Sequence, residues 1–145
     1  ADTVPTMMNY TTLINKDSMY NTPPCWCIYM TGLVLDYLEH EVGGLAAMQQ
    51  INEAKAKVLY DYLDSQDFYR NPVEHRYRST MNVTFTSPDP DTDKKFCAQA
   101  AEAGLVNLKG HRLVGGMRAS IYNAMPPAGI DKLVEFMEAF RKANA

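Results

Sequence analysis

Three kinds of pattern are scarce or missing in these 145 residues, and each absence removes a class of function. Cysteine is scarce: Cys25, Cys27 and Cys97 are the three present. An odd, small number does not build a disulfide framework and fits a reducing compartment, cytoplasm or plastid. Cys25 and Cys27 stand two apart, which on a helix turns them in different directions, so no metal site is expected there. Excess charge is missing too. The net charge is −3 and charged residues make up 21%, without the basic footprint of a nucleic-acid binder, and no aromatic is interleaved with the basic residues. Long hydrophobic runs are absent. The longest uncharged apolar stretch, Cys25 to Leu35, carries a Gly and a Thr and falls well short of the roughly 20 residues that span a bilayer. No signal peptide, internal repeat or low-complexity segment is read. The length fits one domain, or a domain plus an appendage, with a real core. The chain opens on Ala1 rather than Met, and the expectation is a cut or processed piece of something longer.

What is present centres on Gly110 to Asn123, GHRLVGGMRASIYN. His111, Arg112 and Arg118 fall close together, with Gly115-Gly116 between the second and third, where the backbone can turn tightly. Met117, Ala119 and Ile121 alternate with Arg118, Ser120 and Tyr122, the period of a half-buried strand. An arginine on such a strand is held by a rigid element, and its planar fork suits carboxylate or phosphate. The stretch therefore reads as a clamp for a small anion, or more plainly as a hairpin with ordinary surface arginines. It points to binding, not to chemistry.

Taken in order, Ala1 to Ser18 reads as irregular. Met19 to Pro24 is a helix start, with Thr22 as N-cap and Pro23 in the first helical position. Helix N-termini attract anions, but two prolines delete two donors here, so a phosphate would depend on the Asn21 amide and the Thr22 hydroxyl. A plain helix cap is the simpler role. The helix of about Pro24 to His40 is apolar almost all round and calls for partner surface that so short a chain hardly supplies. Gly43-Gly44 ends it. Leu45 to Ser65 is amphipathic, with Leu45, Met48, Ile51, Val58, Leu59 and Tyr62 on one face and a Glu53–Lys57 pair on the other. His75, Arg76 and Arg78 read as a solvated basic cluster. Ser79 to Thr86 alternates as a strand. A short helix capped by Asp91 or Thr92 runs to Ala103 and closes at Gly104. Leu105 to Lys109 is a second strand, and the anion stretch carries a third. A last helix, about Ala128 to Lys142, places Ile130, Leu133, Val134, Met137 and Phe140 on one face. The predicted fold class is α+β, a small three-stranded sheet with helices packed on one face.

Three blocks give the chain a resemblance: KDSMYNTPP (Lys16 to Pro24), RSTMNVTF (Arg78 to Phe85) and LKGHRLVGGMRASIYNAMP (Leu108 to Pro126). On these, and on the spacings between them, nearly the whole chain resembles the C-terminal part of the phosphoserine aminotransferases, fold-type-I, class V pyridoxal-phosphate enzymes of serine biosynthesis. The resemblance implies that residues 1–45 end a large cofactor domain and residues 46–145 form the small C-terminal domain. It also implies that Asn21 and Thr22 reach the phosphate of a cofactor bound mainly by the neighbouring subunit. His111 and Arg112 would help hold the phosphate of phosphoserine or the distal carboxylate of glutamate. Arg118 would bind the substrate α-carboxylate. The implied reaction moves an amino group between glutamate and 3-phosphohydroxypyruvate, giving 2-oxoglutarate and O-phosphoserine, in a homodimer of complete chains.

A transaminase needs a lysine that bonds the cofactor and then shuttles the Cα proton. No lysine of this chain sits in a block resembling the family's lysine motif, and Lys109 is the nearest to the anion stretch. The chain is thus expected to carry substrate clamps and one cofactor contact with no catalytic residue of its own, and to be inactive alone. The alternative is a stand-alone anion-binding or interaction module that kept the clamp and lost the chemistry. No metal and no membrane partner is expected under either.

Overall fold

Gly43 and Gly44 divide the chain: their φ angles of 93° and 90° lie where a side chain is disfavoured and glycine is not. The structure, a computed structural model, describes residues 3–145. It has one unit ending at Gly43 and a second spanning Gly44–Ala145. Among the described residues no helix is long and apolar enough to cross a membrane.

The first unit is helical. The stretch expected to be irregular instead forms a 3-10 turn, Thr6–Met8, and a short helix α1, Tyr10–Ile14. Asn9 caps α1 by accepting from the Thr11 amide at 3.0 Å, a local side-chain bond that hydrophobic period does not reveal. Ala1 and Asp2 lie outside the described residues. The next helix, α2, runs Cys25–Asp36, with Pro24 and not Thr22 at its N-cap. The second proline forces the first out of helical geometry, so the helix starts only after both. It continues as a π-helical turn, Tyr37–Glu41. No residue of α2 is buried, and Trp26, Ile28, Tyr29 and Leu35 are all exposed.

The second unit holds a hydrophobic core. Helix α3 spans Leu45–Asp64, and its buried stripe is Met48, Asn52, Lys55, Ala56, Leu59 and Leu63. This corrects the expected face: Leu45, Ile51 and Val58 are exposed. The stripe turns because the Lys55 ammonium and the Asn52 Nδ2 donate to partners inside, which offsets part of the cost of burying them, while Asn52 Oδ1 has no partner among the described residues. The exposed ion pair is Lys57 with Asp61 at 2.6 Å, not Glu53 with Lys57; Glu53 accepts from Gln49 instead. Arg78 is likewise not solvated. Its guanidinium forks onto Asp64 at 2.5 and 2.7 Å and lies over the Tyr60 ring. This pair holds the Asp64 carboxyl below its usual range.

Strand β1, Asn82–Phe85, pairs antiparallel with β2, Met117–Ser120, placing Thr84 opposite Arg118. Among the described residues two strands form, not three. The segment read as the middle strand meets β2 only at an isolated Lys109–Met117 bridge, with Arg118 N donating to Leu108 O at 2.7 Å. Asn107 at φ 62° breaks the extended run just before it, and Gly110 turns it immediately after. Helix α4, Pro90–Glu102, is capped by Asp89, whose side chain accepts from the Asp91 and Thr92 amides. Pro90 at the first helical position moves the cap back to the residue before it. Helix α5 is Pro127–Asn144 and buries Ile130, Leu133, Met137 and Phe140.

Val83, Phe85, Met117 and Ala119 form the buried face of the sheet and join α3, α4 and α5 in one cluster. The other strand positions, Asn82, Thr84, Arg118 and Ser120, are half-buried. The alternation that the sequence carries is the alternation that the sheet uses.

Candidate functional site

The Lys109–Met117 bridge closes a hairpin whose loop holds His111 and Arg112. Gly110 N donates to Gly116 O at 2.8 Å, and His111 O accepts from Val114 N and Gly115 N at 2.9 and 2.8 Å. His111 Nδ1 also lies 3.3 Å from Leu113 N. Both His111 and Arg112 are exposed, presented by a loop that these backbone bonds hold from within.

Gly116 has φ 67°, and a Cβ there would stand 2.8 Å from Phe85 O and 2.9 Å from Thr86 Cγ2. Gly116→Ala therefore combines left-handed strain with a backbone clash. It is expected to cost about 2 kcal/mol or more, read as a lower urea midpoint. A loss below about 0.5 kcal/mol would mean the hairpin approaches β1 less closely than drawn.

Arg118 stands on the half-buried face of β2. Its Nε is fully buried and has no hydrogen-bond partner among the described residues. The guanidinium makes no ion pair among them either. A buried charged donor with nothing to bond is costly.

His111, Arg112 and Lys109 line a cleft of about 460 Å³ with Lys94 and Cys97 of α4, and Arg118 is not part of its lining. Lys94 is tied to Asp91 at 2.7 Å. Burial and the neighbouring Asp93 push the Cys97 thiol up, which disfavours the thiolate.

Asn21 and Thr22 belong to the first unit and are exposed. The Asn21 amide points at the Met7 sulfur, 3.6 Å away, a weak acceptor that an anion readily replaces. No group of three or more His, Cys, Asp or Glu able to hold a metal ion occurs among the described residues.

Two residues near the site were not singled out in the sequence. Lys55 Nζ donates to the carbonyls of Ile121, Tyr122 and Met125 at 3.4, 2.8 and 3.0 Å, just past Arg118. Asn52 donates to Asn123 at 2.8 Å. Burial holds the Lys55 ammonium below its ordinary pKa. A signal existed: positions 48, 52, 55, 59 and 63 form an unbroken helical stripe, with two polar residues inside it.

A family model described as aminotransferase class-V matches residues 2–133. The phosphoserine aminotransferase of Syntrophobacter fumaroxidans is 54% identical over 141 residues, 97% of this chain and 39% of that protein. That of Haemophilus ducreyi is 52% identical over 140 residues, 97% of this chain and 38% of its own. Among solved structures, phosphoserine aminotransferase from Bacillus circulans subsp. alkalophilus superposes with a TM-score of 0.91 at 45% identity, covering 100% of this chain and 40% of that one. The PLP-bound enzyme from Trichomonas vaginalis gives 0.84 at 40% identity, over 95% of this chain and 39% of its own. The chain thus spans about two fifths of the length of the proteins it matches.

Proposed function

The chain belongs to the class-V aminotransferase family, and we propose that it is the C-terminal part of a phosphoserine aminotransferase. The whole subunit, as a homodimer, would transfer an amino group between L-glutamate and 3-phosphohydroxypyruvate, giving 2-oxoglutarate and O-phospho-L-serine. The observation that carries this reading is identity of 54% across 97% of the chain, in company with near-superposition on a solved enzyme of that name.

Within it, Arg118 takes the α-carboxylate that all four substrates and products share. Support comes from its rigid strand and its buried, unpartnered Nε. His111 and Arg112 take the far anion, phosphate or carboxylate, from their exposed loop. Asn21 and Thr22 reach the phosphate of pyridoxal 5′-phosphate. An exposed amide engaged only with a thioether, beside an exposed hydroxyl, is a donor pair that fits such a phosphate. The cofactor, when bound, supplies the electron sink that lets the Cα proton leave and carries the amino group between substrates. This chain's residues bind and orient the substrate at both of its anionic ends, which fixes the direction of the Cα–H bond.

The first unit would be the end of the large cofactor domain and the second the small domain, a division supported by the change of unit between Gly43 and Gly44. No lysine here is given the covalent role. Lys55, Lys57, Lys94, Lys95 and Lys142 are already committed to partners inside the chain. A stand-alone binding module has no observation in its favour, since the relatives named above are whole aminotransferases.

The test is cofactor trapping. The isolated chain is mixed with pyridoxal phosphate, reduced with borohydride and mapped by mass spectrometry. The expected result is no stoichiometric pyridoxyl-lysine. A single saturable adduct, on Lys109 for instance, would give this chain a cofactor centre of its own and overturn the reading.

A further inference from the structure

The turn that leaves β2 is gripped by one buried cation. Lys55 is only 2% exposed, and its ammonium sits against the backbone carbonyls of Ile121, Tyr122 and Met125. It makes no ion pair with a carboxylate among the described residues. Burying an ammonium is costly, and carbonyl dipoles alone are an uncommon way to offset it. The stripe of α3 would accept a Leu or Met at this position without that cost. Asn52, three residues earlier, reaches the same turn through Asn123. The two polar positions of the stripe therefore converge on one five-residue segment, Ile121–Met125.

That segment begins one residue past a strand of only four residues. At its start, β2 is fixed by the Gly110–Gly116 bond and the Lys109 bridge. At its end, Ile121 N bonds to Met81 O at 2.9 Å, and the Tyr122 hydroxyl donates to Asn82 Oδ1 of β1 at 3.1 Å. Without Lys55 the carbonyls of Ile121, Tyr122 and Met125 lose the ammonium that ties them to α3, and the exit is left to the Ile121 amide, the Tyr122 hydroxyl and the Asn52–Asn123 bond. We propose that Lys55 is a positioning residue for Arg118: by holding the exit of β2 it fixes the strand on which the carboxylate-binding guanidinium stands. The proposal rests on the reading of Arg118 given above. A displacement of about 1 Å at a substrate-holding group costs up to about a hundredfold in kcat/KM; a carboxylate held alike in the ground and transition states puts that cost on KM, so a modest release of this turn is enough to be measured.

The test is made in the whole aminotransferase subunit that contains these residues. Lys55→Met is expected to raise KM for glutamate and for phosphoserine alike, by about tenfold, with kcat changed less than about threefold. Lys55→Gln keeps two donors for three carbonyls and is the variant to use should the Met variant not fold; about threefold is expected, again for both substrates. In an Arg118→Ala background either substitution is expected to raise KM no further, because it acts through a side chain that is gone. A purely structural role would lower stability and leave the KM of the folded enzyme unmoved. KM values within twofold of the parent, or effects that multiply in the double variant, would overturn the positioning role alone. An Arg118→Ala enzyme with unaltered KM would overturn the carboxylate reading and this proposal with it.

Discussion

Arg118→Ala, placed in the whole subunit, is expected to lower kcat/KM by at least about a hundredfold for glutamate and for phosphoserine together. Each charge-assisted hydrogen bond that a guanidinium gives a carboxylate is worth about 1.5–3 kcal/mol, and a forked pair makes two. Losing both corresponds to about two to four powers of ten. The equality of the two substrates matters more than the size. A group that holds the α-carboxylate sees the same end of either molecule, whereas a group that holds the far anion separates phosphate from carboxylate. Arg118→Lys should fall between parent and Ala, since it keeps the charge on the strand and loses the fork. Steady-state kinetics with each substrate varied in turn decide the matter. Unchanged kinetics for both would show that the unpartnered Nε waits for something other than substrate.

The same strand shows how far the sequence could be read. Its inward residues, Met117 and Ala119, and its outward Arg118 and Ser120 alternate in the structure as their period predicts. Helix α5 likewise buries the Ile130, Leu133, Met137 and Phe140 expected of it. These elements have one buried face and no competing polar demand, so period alone places them. The stripe of α3 was misread for the opposite reason. Asn52 and Lys55 are inside because Asn123 and three carbonyls wait there. Those partners lie some 70 residues away in the chain, beyond the reach of any local pattern. The third strand failed on backbone detail: Asn107 in the left-handed region cannot be told from hydrophobicity.

The candidate site divides along the same line. The proposal that His111, Arg112 and Arg118 form an anion-binding stretch rests on their types and on the glycines between them, which a plain hairpin with surface arginines would share. That Arg118 has a buried donor without a partner was not legible in the sequence, since burial is set by packing around β2. The residues which the family resemblance added, Asn21 and Thr22, carry almost no local signal; two prolines beside them read first as a helix start.

Phe96→Ala is the substitution expected to cost this fold most. The ring is fully buried on α4, with Tyr69, Phe85, Phe136 and Phe140 around it at centroid distances of 5.8, 5.8, 5.2 and 5.1 Å. All four meet it edge-on, the arrangement that aromatic quadrupoles favour. Through this one side chain α4 is joined to β1, to the turn after α3 and to α5. Removing a buried phenyl ring costs about 3–5 kcal/mol in transfer and cavity energy, and this cluster cannot collapse easily because its rings come from separate elements. Against a total of about 5–15 kcal/mol for a domain, that is a large share of the margin. With a urea slope of about 2 kcal/mol per molar, the unfolding midpoint should fall by about 1.5–2.5 M, with near-UV dichroism lost alongside. Leu113→Ala serves as the control. It sits at the tip of the hairpin loop, 82% exposed, and should shift stability by less than about 0.5 kcal/mol. A Phe96→Ala loss below about 1 kcal/mol would mean that α4 does not dock on this cluster in solution. The cleft it forms with His111 and Arg112 would then have no fixed wall.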